Sequence, residues 1–158
     1  MRTWVDSSTL IALDAAGKAS ILRDLLERVA ITREVAEEVF NGRESQALRN
    51  GRGDWIDVVP VRGDRRRWES LGLGRGEASL FLTPSRDRLV LDEIPARTVA
   101  EAEGREYVGL LGLIAAGVHR RSLSPGEAKG VLRRLLQSGF RVATDLYDEI
   151  LREIDLVG

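Results

Sequence analysis

Residues 3–13 have the sequence TWVDSSTLIAL, in which a short apolar stretch ends at an acid and leads through hydroxyl residues into a second apolar run. The first part, residues 3–6, predicts a short strand, and the apolar residues after it predict a helix. Ser7 or Ser8 is expected to cap this helix, because a hydroxyl at that position accepts a hydrogen bond from an otherwise unpaired helix amide. A strand that leads directly into a helix is typical of α/β domains.

The same alternation continues along the chain. Further short strands are predicted at residues 29–31, 55–59, 89–91 and 106–108, with helical patterns between them. Strands that alternate with helices predict an α/β domain with a mostly parallel sheet of about five short strands.

The C-terminal part is predicted to be helical and the middle of the chain to be irregular. Residues 124–127, Ser-Pro-Gly-Glu, match a capping box with proline at the first helical position. A length of 158 residues fits one domain. We therefore expect a single domain over residues 1–158, which includes the C-terminal helices at about 124–155. The polar, glycine-rich residues 60–76 are expected to be the most mobile segment.

The composition excludes several classes of site. The chain has no cysteine and one histidine, His119, so disulfides, thiolate zinc sites and multi-histidine metal sites within one chain are excluded. The formal net charge of −1 gives no overall positive field. No apolar run reaches the length of a membrane span, and an acid interrupts the N-terminus before a signal peptide could form. These features predict a soluble, cytoplasmic protein whose chemistry depends on carboxylates, hydroxyls and arginines.

Acidic residues follow two of the predicted strands. Asp6 ends the first strand, Asp92 and Glu93 follow a later one, and Glu77 lies at the start of a helix. The carboxyl ends of parallel strands share one edge of the sheet, so these carboxylates would converge if the two strands are neighbours. Two such charges about 4 Å apart repel by about 4 kcal/mol at an effective dielectric near 20, so a cation must offset them. All-oxygen acidic sites select Mg²⁺ or Mn²⁺. Any one of these acids, taken alone, is more commonly a solvated surface residue.

Taken together, five segments of the chain resemble PIN domains, and most closely a VapC-like toxin ribonuclease branch of that family. The segments are VDSSTLI at 5–11, ITREVAEEV at 31–39, LGRGEA at 73–78, VLDE with Ala96 and Arg97 at 90–97, and VGLLGL at 108–113. The resemblance covers nearly the whole chain and implies a three-layer α/β/α fold around the parallel sheet.

The resemblance also implies which residues form the site. Four acids take the positions of the catalytic tetrad, namely Asp6, Glu38, Glu77 and Asp92. Asp6, Glu77 and Asp92 would bind the metal, together with Glu93, which stands where this branch usually has a second aspartate. Leu110 stands where the family would be expected to have threonine.

Other residues are expected to support this site. Ser8 is expected to orient Asp6 through its hydroxyl. Arg97 would either pair with Glu93 one helical turn earlier or bind phosphate. The run Arg65, Arg66 and Arg67 is interpreted either as a contact for substrate phosphates or as a solvated loop.

The function implied by the resemblance is Mg²⁺- or Mn²⁺-dependent hydrolysis of RNA. Such a protein would be the toxin of a toxin–antitoxin pair, with a small antitoxin protein as partner and a homodimer as its assembly. One alternative is a catalytically inactive PIN-like module that binds RNA or protein. Another is a phosphoryl-transfer enzyme with Asp6 as nucleophile, but one such family requires a second aspartate where this chain has Ser8.

Overall fold

The fold is built on a five-stranded parallel sheet with the strand order β3-β2-β1-β4-β5. It is described here from a computed structural model, which describes residues 1–157. The strands are β1 (Thr3–Val5), β2 (Val29–Ile31), β3 (Ile56–Val58), β4 (Arg88–Val90) and β5 (Tyr107–Val108). The five short strands predicted from the sequence are confirmed, with ends that agree or differ by one residue.

Helices flank the sheet in the α/β/α arrangement that was predicted. Between the strands lie α1 (Ser7–Ala15), α2 (Ile21–Leu26), α3 (Arg33–Val39), α4 (Gln46–Gly51), α5 (Arg66–Glu69), α6 (Arg75–Leu80) and α7 (Ile94–Ala102). After the last strand come α8 (Leu110–His119), α9 (Pro125–Gln137) and α10 (Thr144–Val157). None of the helices in residues 1–157 combines the length and the apolar character needed to cross a membrane.

The centre of the sheet positions the candidate site. Strand β1 lies between β2 and β4, and Trp4 is in register with Ala30 on one side and Leu89 on the other. The chain leaves β1 for β2 on one side and returns to β4 on the other, so β1 and β4 form the point at which the strand order reverses. Ligands of open α/β sheets bind in the crevice at such a point, beyond the carboxyl ends of the strands.

The start of α1 differs from the prediction. Asp6, rather than Ser7 or Ser8, is the N-cap residue, and its side chain accepts a hydrogen bond from the amide of Thr9. An aspartate at this position caps a helix as well as serine does, so the helix begins one residue earlier than the hydroxyl pattern indicated. The predicted capping box at Ser124 is confirmed, with Glu127 as its acidic member, and Thr32 caps α3 in the same way through its hydroxyl.

The segment 60–76 is more ordered than its composition indicated. It contains α5, in which Trp68 is buried and stacks on Phe81 with ring centroids 5.2 Å apart. The composition did not indicate this helix, and the mobility of the segment stays a prediction. Burial of one aromatic side chain anchors an otherwise polar segment.

The C-terminal helices pack on the rest of the fold through apolar faces. Helix α10 buries Ile150 and Ile154 and contacts α8 and α9, and α9 contacts both α8 and α1. Helix α8 is buried along most of its length, with Leu110 and Ile114 fully covered. Since α8 follows directly after β5, this packing fixes the turn that enters the crevice at the end of the sheet.

Candidate active site at the carboxyl edge of the sheet

The ends of β1 and β4 bring Asp6 and Asp92 together. The amide of Asp6 donates a hydrogen bond to the carbonyl of Val90 at 3.2 Å, which continues the ladder between the two strands. The amide of Asp92 in turn donates to Asp6 Oδ2 at 3.1 Å. The two acids that sequence reasoning placed at neighbouring strand ends are thus joined directly through the backbone.

Asp6 is almost completely buried, with 1% of its surface exposed. Its Oδ1 accepts from the Thr9 amide at 2.9 Å, and its Oδ2 also accepts from the Ser8 hydroxyl at 3.2 Å, as was expected of Ser8. Burial raises the pKa of Asp6 to about 6, and the charge of Asp92 adds to the rise, although hydrogen bonds from Thr9 and Asp92 oppose it. A carboxylate this hard to ionise is stabilised by any cation that reaches it.

Asp92 is held by contacts from three directions. Its Oδ1 accepts from the amide of Leu110 at 3.0 Å and from Arg97 Nη2 at 3.4 Å, and its Oδ2 accepts from the hydroxyl of Thr9. The Leu110 amide lies at the start of α8, where helix N–H groups favour negative charge. The backbone of Leu110 therefore contacts the carboxylate although its side chain, in place of the expected threonine, is buried.

Glu77 carries an oxygen with no hydrogen-bond partner. Its Oε1 accepts from the amide of Gly74 at 3.2 Å, and its Oε2 is buried and accepts no hydrogen bond from any residue in the described part of the chain. Burial raises the pKa of Glu77, and the carboxylates of Glu93 and Glu38 raise it further. An orphaned buried carboxylate oxygen beside other acids is a ligand position for a cation.

Glu38 reaches the same place from α3. Its Oε1 accepts from the Ser7 hydroxyl at 3.2 Å, and its carboxylate lies against Gly76 of α6. A Cβ at position 76 would fall 1.8 Å from Glu38 Oε1, so no larger residue fits there without displacing that carboxylate. The close approach of α3 and α6 at this glycine places Glu38 next to Glu77.

The remaining acid and the arginine of α7 occupy the rim. Glu93 is exposed at the N-cap position of α7, near enough to Glu77 to affect its pKa. Arg97 donates from Nε to the carbonyl of Leu91 at 2.8 Å and pairs with Asp92. The expected pair of Arg97 with Glu93 is not among the ion pairs of residues 1–157, because the guanidinium is directed toward the strand end instead.

The three consecutive arginines are already paired with acids. Arg65 contacts Glu34 at 2.8 Å, Arg66 contacts Asp64 at 2.8 Å, and Arg67 contacts Glu103 at 3.0 Å. The Arg67 guanidinium also lies 4.4 Å from the centre of the Trp68 ring. A contact of this run with substrate phosphates stays a prediction, and it would have to compete with these ion pairs.

The donor set fits a hard divalent cation by its chemistry, but the side chains are not closed around one. The carboxylates lie in two groups, Asp6 with Asp92 and Glu77 with Glu38 and Glu93, and the site contains an orphaned oxygen and an acid with a raised pKa. Within residues 1–157, however, no three acidic or histidine side chains stand close enough, as they are arranged, to hold one ion. The carboxylates bond instead to hydroxyls and amides around them, so binding one cation requires these side chains to rearrange.

Sequence reasoning missed two contributors. Thr9 links the central acids, because its amide binds Asp6 and its hydroxyl binds Asp92. Its position three residues after an aspartate cap, on the first turn of the helix, is the signal that could have identified it. Gly109 makes room for Arg97, since a Cβ there would fall 2.0 Å from Arg97 Nη2, and no local pattern indicates this contact.

The comparison with known families gives one match. A family model described as a PIN domain matches residues 3–156, which include every strand and the four acids expected to form the site. The chain belongs to the PIN-domain family. No curated protein and no solved structure matches the chain.

Membership places this chain on a nuclease-type fold. PIN domains are generally nucleases that act on nucleic acid and use divalent metal ions. In this PIN domain, the acids at the carboxyl edge of the sheet occupy the crevice where a ligand is expected.

Proposed function

We propose that this PIN domain is a Mg²⁺- or Mn²⁺-dependent endoribonuclease that hydrolyses phosphodiester bonds in RNA. The observation that carries the proposal is a set of carboxylates in two groups, in which the amide of Asp92 binds Asp6, and Glu38 and Glu93 lie near Glu77, one buried oxygen of which has no hydrogen-bond partner in the described chain. The raised pKa values of Asp6 and Glu77 support it, because they indicate excess negative charge in a poorly solvated place.

Some residues of the site would bind the cation, and others fix the orientation of its ligands. Asp6, Glu77 and Asp92, with Glu93 at the rim, would hold Mg²⁺ or Mn²⁺, and Glu38 would add negative charge beside them. The bound ion would lower the pKa of the attacking water and offset the charge that develops on the phosphate. Thr9, Ser8 and the Leu110 amide fix the orientation of Asp6 and Asp92.

The test is cleavage of single-stranded RNA by the purified protein in Mg²⁺, Mn²⁺ or EDTA, beside DNA of the same sequence. We expect cleavage of RNA with either metal and none in EDTA. Asp6→Asn and Glu77→Gln should each lower the rate at least about a hundredfold, since a metal supplies several kcal/mol of transition-state stabilisation. Asp24→Asn, which changes an exposed acid of α2, is the matched control and should cleave like the wild type. Undiminished cleavage by Asp6→Asn would overturn the proposal.

A toxin role and its partners belong to the same proposal and rest on the family likeness. We expect a small antitoxin protein, encoded beside this gene, that covers the acidic crevice, and a homodimer that uses the exposed apolar residue Leu136 on α9. Induced expression of the wild type, but not of Asp6→Asn, should arrest growth, and co-expression of the neighbouring small protein should restore it. Light scattering should give the mass of two chains.

A second candidate is a PIN-like module that binds RNA without cutting it. The pairing of Arg97 with Asp92 and the lack, in residues 1–157, of three acids arranged around one ion favour it. Measuring RNA binding, RNA cleavage and stabilisation by Mn²⁺ distinguishes the binding module from the nuclease. Binding of RNA with no cleavage, and with no stabilisation by Mn²⁺, would establish the inactive module and exclude the nuclease.

A further inference from the structure

A pocket of about 390 Å³ opens directly beside the acidic crevice. It shares Asp92, Arg97 and Gly109 with the crevice, and its far wall is the connection between α9 and α10 together with the first turn of α10. The volume is in the range of small-ligand sites. A group that occupies this pocket is therefore in contact with the residues that flank the proposed cleavage centre.

The lining of the pocket joins an aromatic ring to two cations. Phe140 is half-buried in the wall, and Arg97 and Arg141 supply guanidinium groups. Leu146 and other apolar side chains complete the wall, and Asp92 is the sole acid in it. Aromatic rings and arginine planes are the groups on which unpaired RNA bases stack, with cations holding the adjacent phosphates.

Phe140 differs from the other two phenylalanines of the chain in what covers its ring. Phe40 has the guanidinium of Arg52 4.8 Å from its ring centre, and Phe81 is buried against Trp68. Within residues 1–157, neither an aromatic ring nor a guanidinium stacks on Phe140. Its ring is thus the one phenylalanine ring that lines a pocket at the site without a stacking partner.

We propose that this pocket, which we call the Phe140 pocket, binds one unpaired base of the RNA strand next to the phosphate that is cut. The inference rests on the proposed function and adds to it a binding site for the base on one side of the bond. Arg141 holds the phosphate beyond that base. The two arginines among the lining residues favour a strand with phosphates over an uncharged protein segment.

The test combines a change in the protein with a change in the RNA. Binding of a short single-stranded RNA is measured by fluorescence anisotropy in EDTA, and cleavage is measured in Mn²⁺. Wild type and Phe140→Leu are compared on the intact RNA and on RNAs that lack the base on the 5′ or the 3′ side of the cut. Phe140→Leu should weaken binding and lower kcat/KM by about tenfold on intact RNA, the size of one lost stacking contact. Removing the base on one side of the cut should lower the affinity and kcat/KM of the wild type by a similar factor. It should not lower those of Phe140→Leu any further.

Controls separate packing from recognition. Phe40→Leu makes the same substitution at the phenylalanine that Arg52 covers, and it should bind and cleave like the wild type. If Phe140→Leu unfolds, Arg141→Gln replaces it, because Arg141 is exposed and its substitution should leave the fold intact. Loss of its phosphate contact should lower the affinity for RNA and reduce the salt slope of binding by about one.

The outcomes for this inference and for the proposed function are distinct. If the wild type and Phe140→Leu cleave and bind RNA equally well, the Phe140 pocket is overturned and the nuclease is left intact. The same conclusion follows if removing the base lowers the activity of Phe140→Leu by as large a factor as it lowers that of the wild type. A wild type that binds RNA with the predicted dependence on Phe140 but never cleaves would overturn the nuclease and keep the pocket. Binding that is insensitive to every base removal would assign the pocket to a protein partner instead.

Discussion

At the residue scale, Asp6 serves two purposes that conflict. As the N-cap of α1 it stabilises the helix by accepting from the Thr9 amide, and an ionised carboxylate does this best. As a residue with 1% of its surface exposed, it loses most of its hydration, which favours the protonated form. A chain selected for stability alone would place serine here, so the retained aspartate points to a use for its charge.

This conflict predicts an unusual pH dependence of the metal-free protein. The folded-state pKa of Asp6 is raised from 3.8 to about 6, so the folded state binds more protons than the unfolded state between those values. Stability from this residue is complete at low pH and is lost as the pH rises through about 6. The unfolding free energy of the wild type minus that of Asp6→Asn should therefore fall by about 2 kcal/mol from about pH 4 to about pH 8 in EDTA. Urea denaturation across this range measures it, and a difference that rises with pH would contradict the account.

Thr9 gives a second prediction at this scale. Thr9→Val keeps the amide that binds Asp6 and removes the hydroxyl that binds Asp92. Substitution of a residue that orients a metal ligand lowers metal affinity or activity by about 10–100-fold. We therefore expect calorimetry to show that Thr9→Val binds Mn²⁺ more weakly by a factor of that size. Thr98→Val, which removes an exposed hydroxyl bonded to the Ile94 carbonyl, is the control. Equal Mn²⁺ affinity in the two variants would show that Thr9 does not position Asp92.

At the scale of elements, the site depends on how closely α3 and α6 approach each other. Glu38 lies on the exposed side of α3 and reaches its neighbours because Gly76 leaves space for its carboxylate. The sequence predicted both helices and both acids but not this contact, since a contact between helices depends on their distance and crossing angle. Local sequence patterns do not indicate the distance or the crossing angle between two helices.

Gly76→Ala should displace the Glu38 carboxylate and reduce activity. The added Cβ would lie 1.8 Å from Glu38 Oε1, which must rotate away from Glu77. Gly130→Ala, on α9, meets no atom within 4 Å and should stabilise the protein by about 0.5–1 kcal/mol, the usual gain of alanine over glycine in a helix. Cleavage rates and thermal unfolding of the two variants are compared. A Gly76→Ala protein with wild-type cleavage would mean that Glu38 takes no part in the site.

Predictability also differs between elements for physical reasons. Asp6 and Asp92 could be placed together because parallel strands end at one edge, which is a property of topology. The burial of Trp68 could not be predicted from the segment 60–76, because its stacking partner Phe81 lies outside that segment. The cap at Asp6 was assigned to the following serines because aspartate and serine both cap helices well.

At the scale of the whole molecule, the C-terminal helices support the site from behind. Helix α10 packs on α8, and the first amide of α8 belongs to Leu110, which binds Asp92. We propose that α9 and α10 belong to the same folding unit as the sheet. All three tryptophans lie at or before residue 68, so tryptophan fluorescence reports on a part of the chain that is remote in sequence from α10.

Ile154→Ala tests this unit. The side chain is completely buried, so the substitution should cost about 2–5 kcal/mol and shift the fluorescence transition and the helical circular dichroism together. Leu156→Ala, at a residue that is 85% exposed, is the matched control and should change stability by less than about 0.5 kcal/mol. Loss of helix signal without a shift of the tryptophan transition would show that the C-terminal helices fold separately.

The most direct measurement is the anomalous diffraction of crystals grown with Mn²⁺. The account predicts an anomalous peak among the carboxylates of Asp6, Glu77 and Asp92, with Glu77 Oε2, which accepts no hydrogen bond in the described chain, as one of the ligands. The peak should vanish in crystals of Asp6→Asn grown the same way. Wild-type crystals with Mn²⁺ elsewhere on the surface and none among these three carboxylates would contradict the account.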